Sequence, residues 1–184
     1  NEFNRLPVTA PLDDKDFNYK DQGGSFDQNT RDRNEFFYGA KAEYAVGPDT
    51  AVYVSAVGNK KDYDTNLAAF DRASDGYVVG VGANFDVSEL VRGDLQVGYM
   101  KQSYDRTAFK DIDGFNAVGR LEWFPTQLTT VGVSGSRTIE ESVAPGAPGF
   151  VSNQIGASID HELMRNVLLS GNATFGKDNY AQID

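Results

Sequence analysis

His161, the one histidine of this 184-residue chain, stands between Asp160 and Glu162, and a base flanked by carboxylates is the first feature that could do chemistry. Metal binding would need further ligands at suitable spacing, and general-base work a substrate within hydrogen-bond reach. The chain has no cysteine and no second histidine, so any serine–histidine–acid arrangement would rest on His161 alone. Ser134, Ser136, Ser158 and Ser170 read as small lining residues. His161 is accordingly read as a solvated residue beside a short turn, and the chain as non-enzymatic.

Acidic runs at Asp13 to Asp16, Asp62 to Asp64 and Asp111 to Asp113 could hold a cation through carboxylate oxygens. None carries the twelve-residue calcium-loop pattern, and charged clusters in loops are mostly solvated. The expectation is no resident cofactor or metal, with loop-bound calcium as the one option kept. Such tips could equally bridge through divalent ions to lipopolysaccharide.

The remaining polar groups follow a different rule, an alternation. Between Asp113 and Arg137, residues Phe115, Ala117, Gly119, Leu121 and Trp123 fall on one face, against Asn116, Val118, Arg120 and Glu122 on the other. Period two marks a strand with two different environments. Phe124-Pro125-Thr126-Gln127 reads as a turn, and Val131 and Val133 alternate with Thr130, Gly132, Ser134 and Ser136 on the way back.

The same pattern recurs along the chain. Strands are expected at about Glu35 to Val46, Ala51 to Lys60, Tyr77 to Val87, Asp94 to Gln102 and Val151 to Asp160, and from Val167 through Phe175. With the hairpin above they make eight strands in four hairpins. Gly47 to Thr50, Ser88 to Gly93 and Glu162 to Asn166 are short connections; 61–75, 104–112 and 138–149 are longer charged loops. Residues 1–34 read as an acidic surface loop with arms that extend neighbouring strands, and 35–184 as strands of one barrel domain.

Short turns at one end and long loops at the other are the asymmetry of outer-membrane barrels. Phe36 and Tyr44, Tyr77 and Phe85, and Phe115 and Trp123 are each eight residues apart on the apolar face. Eight residues climb roughly 20 Å along a tilted strand, close to the roughly 25 Å apolar band whose rims carry aromatic girdles. Those six residues, with Phe175, are the expected membrane-interface aromatics. Lys41, Glu43, Asp94, Gln96, Arg120, Glu122, Gln154, Asp160 and Asn172 are expected to line a lumen. The fold class is thus all-β, an antiparallel up-and-down transmembrane barrel, with a soluble β-sandwich as the competing reading.

A net charge of -10 argues against a nucleic-acid partner, which would want a basic face. No stretch approaches the roughly 18 apolar residues of a spanning helix. Overall hydropathy resembles that of a soluble chain, but it judges barrels poorly, because only every second residue in short segments faces lipid. Asn1 opens directly into polar residues with no signal peptide, and the chain reads as a mature form or a segment of a longer protein.

The order of motifs resembles the β-barrel porin-2 family of alphaproteobacterial outer-membrane proteins. The matching stretches include Gly-Pro-Asp-Thr-Ala-Val-Tyr-Val at 47–54, Ser-Asp-Gly-Tyr at 74–77 and Arg-Gly-Asp-Leu-Gln-Val-Gly-Tyr at 92–99. Trp-Phe-Pro-Thr-Gln-Leu-Thr-Thr-Val at 123–131 and Asp-His-Glu-Leu-Met-Arg-Asn at 160–166 continue the series. The resemblance implies a barrel larger than this chain, in the cell outer membrane, and an association with surface polysaccharide systems. The expected function is a porin-like passive channel or surface-polymer conduit. The alternative is a non-conducting barrel whose acidic loops attach to a surface layer, polysaccharide or partner protein. Expected partners are outer-membrane lipid and lipopolysaccharide.

Overall fold

A computed structural model describes residues 8–17, 33–63, 73–87, 89–106, 109–142 and 148–180. Ten strands follow one another: β1 Val8–Thr9, β2 Leu12–Phe17, β3 Arg33–Gly47, β4 Thr50–Tyr63 and β5 Ser74–Val87. They continue with β6 Val91–Tyr104, β7 Ile112–Thr126, β8 Thr129–Glu141, β9 Gly149–Met164 and β10 Val167–Tyr180. All are antiparallel in one sheet, in chain order from β3 to β10, with β1 and β2 both paired to the outer side of β3. The four expected hairpins are present, in up-and-down order. The sheet is not closed: among the described residues nothing pairs with the far edge of β10.

Alternation is what makes these segments strands. On β5, Tyr77, Val79, Val81 and Phe85 share one face, and each pairs across to β6 with residues of the same face, as in Val81↔Val97 and Val79↔Tyr99. A slip of one residue would turn every apolar side chain over, so the register is set by the pattern itself.

The strands outrun the expected bounds. β4 continues through Lys61, Asp62 and Tyr63, and β8 through Thr138 to Glu141, where loops were expected. A crossing at about 45° uses roughly 9–11 residues, and β3 to β10 have 13 to 16. They therefore project several residues past an apolar band at the long-loop end. Pro125 lies in the last stretch of β7, and the turn is Gln127 and Leu128. The ladder slips between Trp123 and Thr126 there, so a residue without an N–H costs no regular bond. Asp13 to Asp16 form part of β2, opposite Phe37 to Asn34, and are not a loop. Residues 18–32, 64–72 and 143–147, which carry most of the expected loop tips, lie outside the described residues.

One face of the sheet is the inside. β4 and β8 are four strands apart, about 19 Å on a flat sheet. Yet Lys61 Nζ of β4 lies 2.8 Å from Glu141 Oε1 of β8, and Tyr63 OH donates to Glu141 Oε2 at 2.9 Å. The sheet must curl towards the face that carries these groups. The buried residues Met100, Gln102, Asn116 and Tyr53 belong to that concave face. The convex face carries Val54, Val81, Leu95, Val97, Val133 and Ile155, all exposed.

Candidate functional site

The concave wall is built from alternate residues; Gly80 and Gly82 make room for the side chains of Gln96 and Tyr53, and Gly98 lets the β5 backbone at Val79 and Gly80 come close. A Cβ on Gly82 would stand 2.3 Å from Cζ of Tyr53 and 2.6 Å from the Leu95 carbonyl. Tyr53 thus lies flat across β5 and reaches Asp94 of β6, its hydroxyl donating to Oδ1 at 3.1 Å. Lys41 Nζ sits 3.9 Å from the centre of the Tyr53 ring and 2.9 Å from Glu43 Oε2, which also accepts from Asn84 Nδ2 at 3.1 Å. Three of the expected lining residues, Lys41, Glu43 and Asp94, therefore belong to one network, and Gln96 to a second beside it. Gln96 accepts from Ser55 at 3.2 Å and donates to Asn116 Oδ1 at 3.5 Å.

Arg120 and Glu122 sit further along the same face. Arg120 Nη2 donates to Glu122 Oε1 at 2.6 Å, so the partner of Arg120 is on its own strand, not a neighbouring one. With Glu43, Asp86, Arg92 and Asp94 they bound an open concavity of about 590 Å3 at the short-turn end. Asp160 and Asn172 face a second hollow with Arg120, Ser134 and Ser158. Gln154 occupies the register position between Ser136 and Gly176 and donates to Ser152 Oγ at 3.4 Å. All nine expected lining residues share the one face by register, and the first six lie closest together.

The sequence reading missed what crosses this face at the loop end. Glu141 receives Lys61 and Tyr63 as above, and Arg33 Nε stands 3.6 Å from its Oε2 and 2.6 Å from Glu35 Oε1. Burial by itself would raise the Glu141 carboxyl, but Lys61 and then Arg33 and Tyr63 outweigh it and hold it below the ordinary carboxylate range. Glu141 lies six residues past Gly135, the last small outward-facing residue of β8, and so beyond the apolar band. Nearby, Gln102 donates to Asn59 Oδ1 at 3.0 Å and to Ser74 Oγ at 2.9 Å. Period two continuing past Lys60 signals Lys61 and Tyr63 on this face, but Glu141 is in register phase with Arg137, so alternation gives no sign of its contact with them.

On the convex face the expected aromatics form two levels. Tyr44, Phe85 and Trp123 lie towards the short turns; Phe36, Tyr77, Phe115 and Phe175 lie towards the loops. Tyr38 and Tyr99 join the loop-side level: the Tyr77 and Tyr99 rings are 6.4 Å apart, and Phe36 and Tyr38 6.0 Å. Phe85 is the least exposed, because its ring covers Gly93 on β6.

Asp160 and His161 point to opposite faces, as neighbours in a strand must. His161 Nδ1 pairs with Thr129 Oγ1 at 2.9 Å on the convex side, so the Asp-His-Glu run does not converge on one place. Among the described residues no three carboxylates or histidines gather as metal ligands. Asp111 is instead engaged by Ser103, by the Tyr104 amide and by Lys101.

The family described as "Putative beta-barrel porin 2" matches residues 1–184, and the chain belongs to that family. No curated protein and no solved structure matches it.

Proposed function

We propose that this member of the β-barrel porin family forms the wall of an outer-membrane channel through which small polar solutes diffuse passively. The supporting observation is the division of one sheet into two surfaces. Its concave face carries ion pairs and hydrogen-bonding side chains in several groups from Lys41 to Glu122. Its convex face is apolar between two aromatic levels. Such a division suits water on one side and lipid on the other. Short turns at Pro48 to Asp49, Gln127 to Leu128 and Arg165 to Asn166 orient that end to the periplasm.

Mechanistically, no bond is made or broken. Charged rings set which solutes enter, and entry must be weak enough to permit exit. Arg120 and Arg92 facing Glu43, Asp86 and Asp94 give the short-turn end both signs of charge, which favours polar solutes over strong ion selection.

A second reading is supported by the Glu141 cluster. Arg33, Lys61 and Tyr63 meeting Glu141 across the concave face narrows the mouth, as a barrel that binds a surface polymer or partner without conducting would require. Planar-bilayer recording from the full-length protein separates the two. Steady ohmic steps are expected for the channel, and silence with verified insertion would favour the closed barrel.

A further inference from the structure

Just above the loop-side aromatics, the convex face changes from apolar to charged. Lys60 of β4 stands opposite Asp75 of β5 and 3.5 Å from Asp62. Lys101 of β6 stands opposite Asp113 of β7 and 3.4 Å from Asp111. Each of these cations has a carboxylate close by.

The last three strands break the rule. Arg137 of β8, Asn153 of β9 and Lys177 of β10 lie side by side in register. Among the described residues neither Arg137 nor Lys177 has a carboxylate at ion-pair distance. The nearest acids in sequence, Glu140 and Asp178, accept instead from Thr138 at 3.0 Å and Ser152 at 2.8 Å.

Arg137 is held in place. Its Nε donates to the Phe115 carbonyl at 3.1 Å and its Nη1 donates to Asn153 Oδ1. Asn153 Nδ2 donates to the Lys177 carbonyl at 3.1 Å. Two cations without a carboxylate partner among the described residues, on the lipid-side face of a chain with net charge -10, can take an anion from outside the protein. Their strands are about 10 Å apart, a gap that two long side chains can close over Asn153.

Directly below this trio, Gly135, Ile155 and Phe175 form the next row. Nothing comes closer than 3.8 Å to where a Gly135 Cβ would stand, which leaves a shallow apolar trough under the Arg137 guanidinium.

We propose that Arg137, Asn153 and Lys177 form a binding site for the phosphomonoester headgroup of an outer-leaflet glycolipid, with an acyl chain resting in the trough below. A phosphomonoester carries nearly two negative charges, matching two cations where a zwitterionic headgroup would not. The guanidinium supplies a planar fork for phosphate oxygens, the ammonium a point charge. The site rests on the membrane-barrel reading, since it needs the loop end to meet the outer leaflet.

The test uses the full-length protein folded in neutral detergent, with native mass spectrometry to count retained lipid A. Wild-type protein is expected to retain bisphosphorylated lipid A and to release the same lipid stripped of phosphate. Two cations at a lipid surface are worth about 30-fold in affinity, so R137Q/K177Q is expected to bind that much more weakly, and K177Q alone about 5-fold. Both variants should keep the heat-dependent gel shift of a folded barrel, K177Q most safely because Lys177 is exposed. Equal retention by the variants, equal retention of dephosphorylated lipid, or displacement by millimolar inorganic phosphate overturns the site. Absence of the gel shift in wild type overturns the barrel reading and the site with it; a shift without lipid retention overturns the site alone.

Discussion

Glu141 ties together strands that the chain separates by 78 residues or more, since Tyr63 is its nearest partner in sequence. Replacing it with Gln keeps the shape and removes the charge. Lys61 and Arg33 would then face one another across the mouth with only Glu35 to balance them. Because the groups are half-buried and not sealed from water, the expected loss is about 1–2 kcal/mol, below the 3–5 kcal/mol of a fully buried broken pair. The pH dependence follows from the direction of the shift. A carboxyl lowered in the folded state contributes stability above its unfolded value of about 4.5, and that contribution disappears as pH falls through the lower folded value. Wild type should therefore lose resistance to denaturant below about pH 4.5 more steeply than Glu141→Gln, by detergent-gel unfolding at stepped pH. Parallel acid profiles for the two proteins would mean that Glu141 does not hold the mouth.

At the scale of the strand, the membrane-barrel reading makes the apolar alternation a contact with lipid. Val81 lies midway between Tyr77 and Phe85 on the convex face of β5, and is 55% exposed in the sheet. An Arg there should cost about 2–4 kcal/mol of membrane folding, as expected for a bilayer midplane. Gln154→Arg, on the concave face of β9, should stay within about 0.5 kcal/mol. Folding yields in vesicles across a urea series would read the difference; equal costs would remove the distinction between the faces. This division was legible in the sequence because period two is local. The nine lining positions and seven aromatic positions follow from counting alternate residues within single strands. Partner choice was not local. Nothing in the spacing of Arg33, Lys61 and Glu141 shows that a curled sheet brings them together, nor that Tyr53 can reach Asp94 because Gly82 lies between them. Likewise Pro125 suggested a turn, and only the slipped ladder between Trp123 and Thr126 explains how a strand accommodates it.

For the whole molecule, the open edge of β10 is the decisive feature. All fourteen residues of Val167–Tyr180 are exposed, and among the described residues their backbone is paired only on the β9 side. In a bilayer each unpaired N–H or C=O costs several kcal/mol, so a spanning sheet must close on itself or on further strands. The β1 and β2 segments already occupy the opposite edge at β3, which makes direct closure of β10 onto β3 impossible without displacing them. Closure must therefore come from β10 pairing with the outer edge of β1 and β2, from strands other than these, or from a shift of the N-terminal arm. Amide hydrogen exchange on the full-length protein in micelles distinguishes the states. If the edge is covered, the alternate amides of β10 that point away from β9 should exchange as slowly as those of β6, which is paired on both sides. If exchange is fast at every second residue from Leu168 to Lys177, the edge remains open to water. A channel enclosed on all sides would then be excluded, and the concave face would have to work as a cleft.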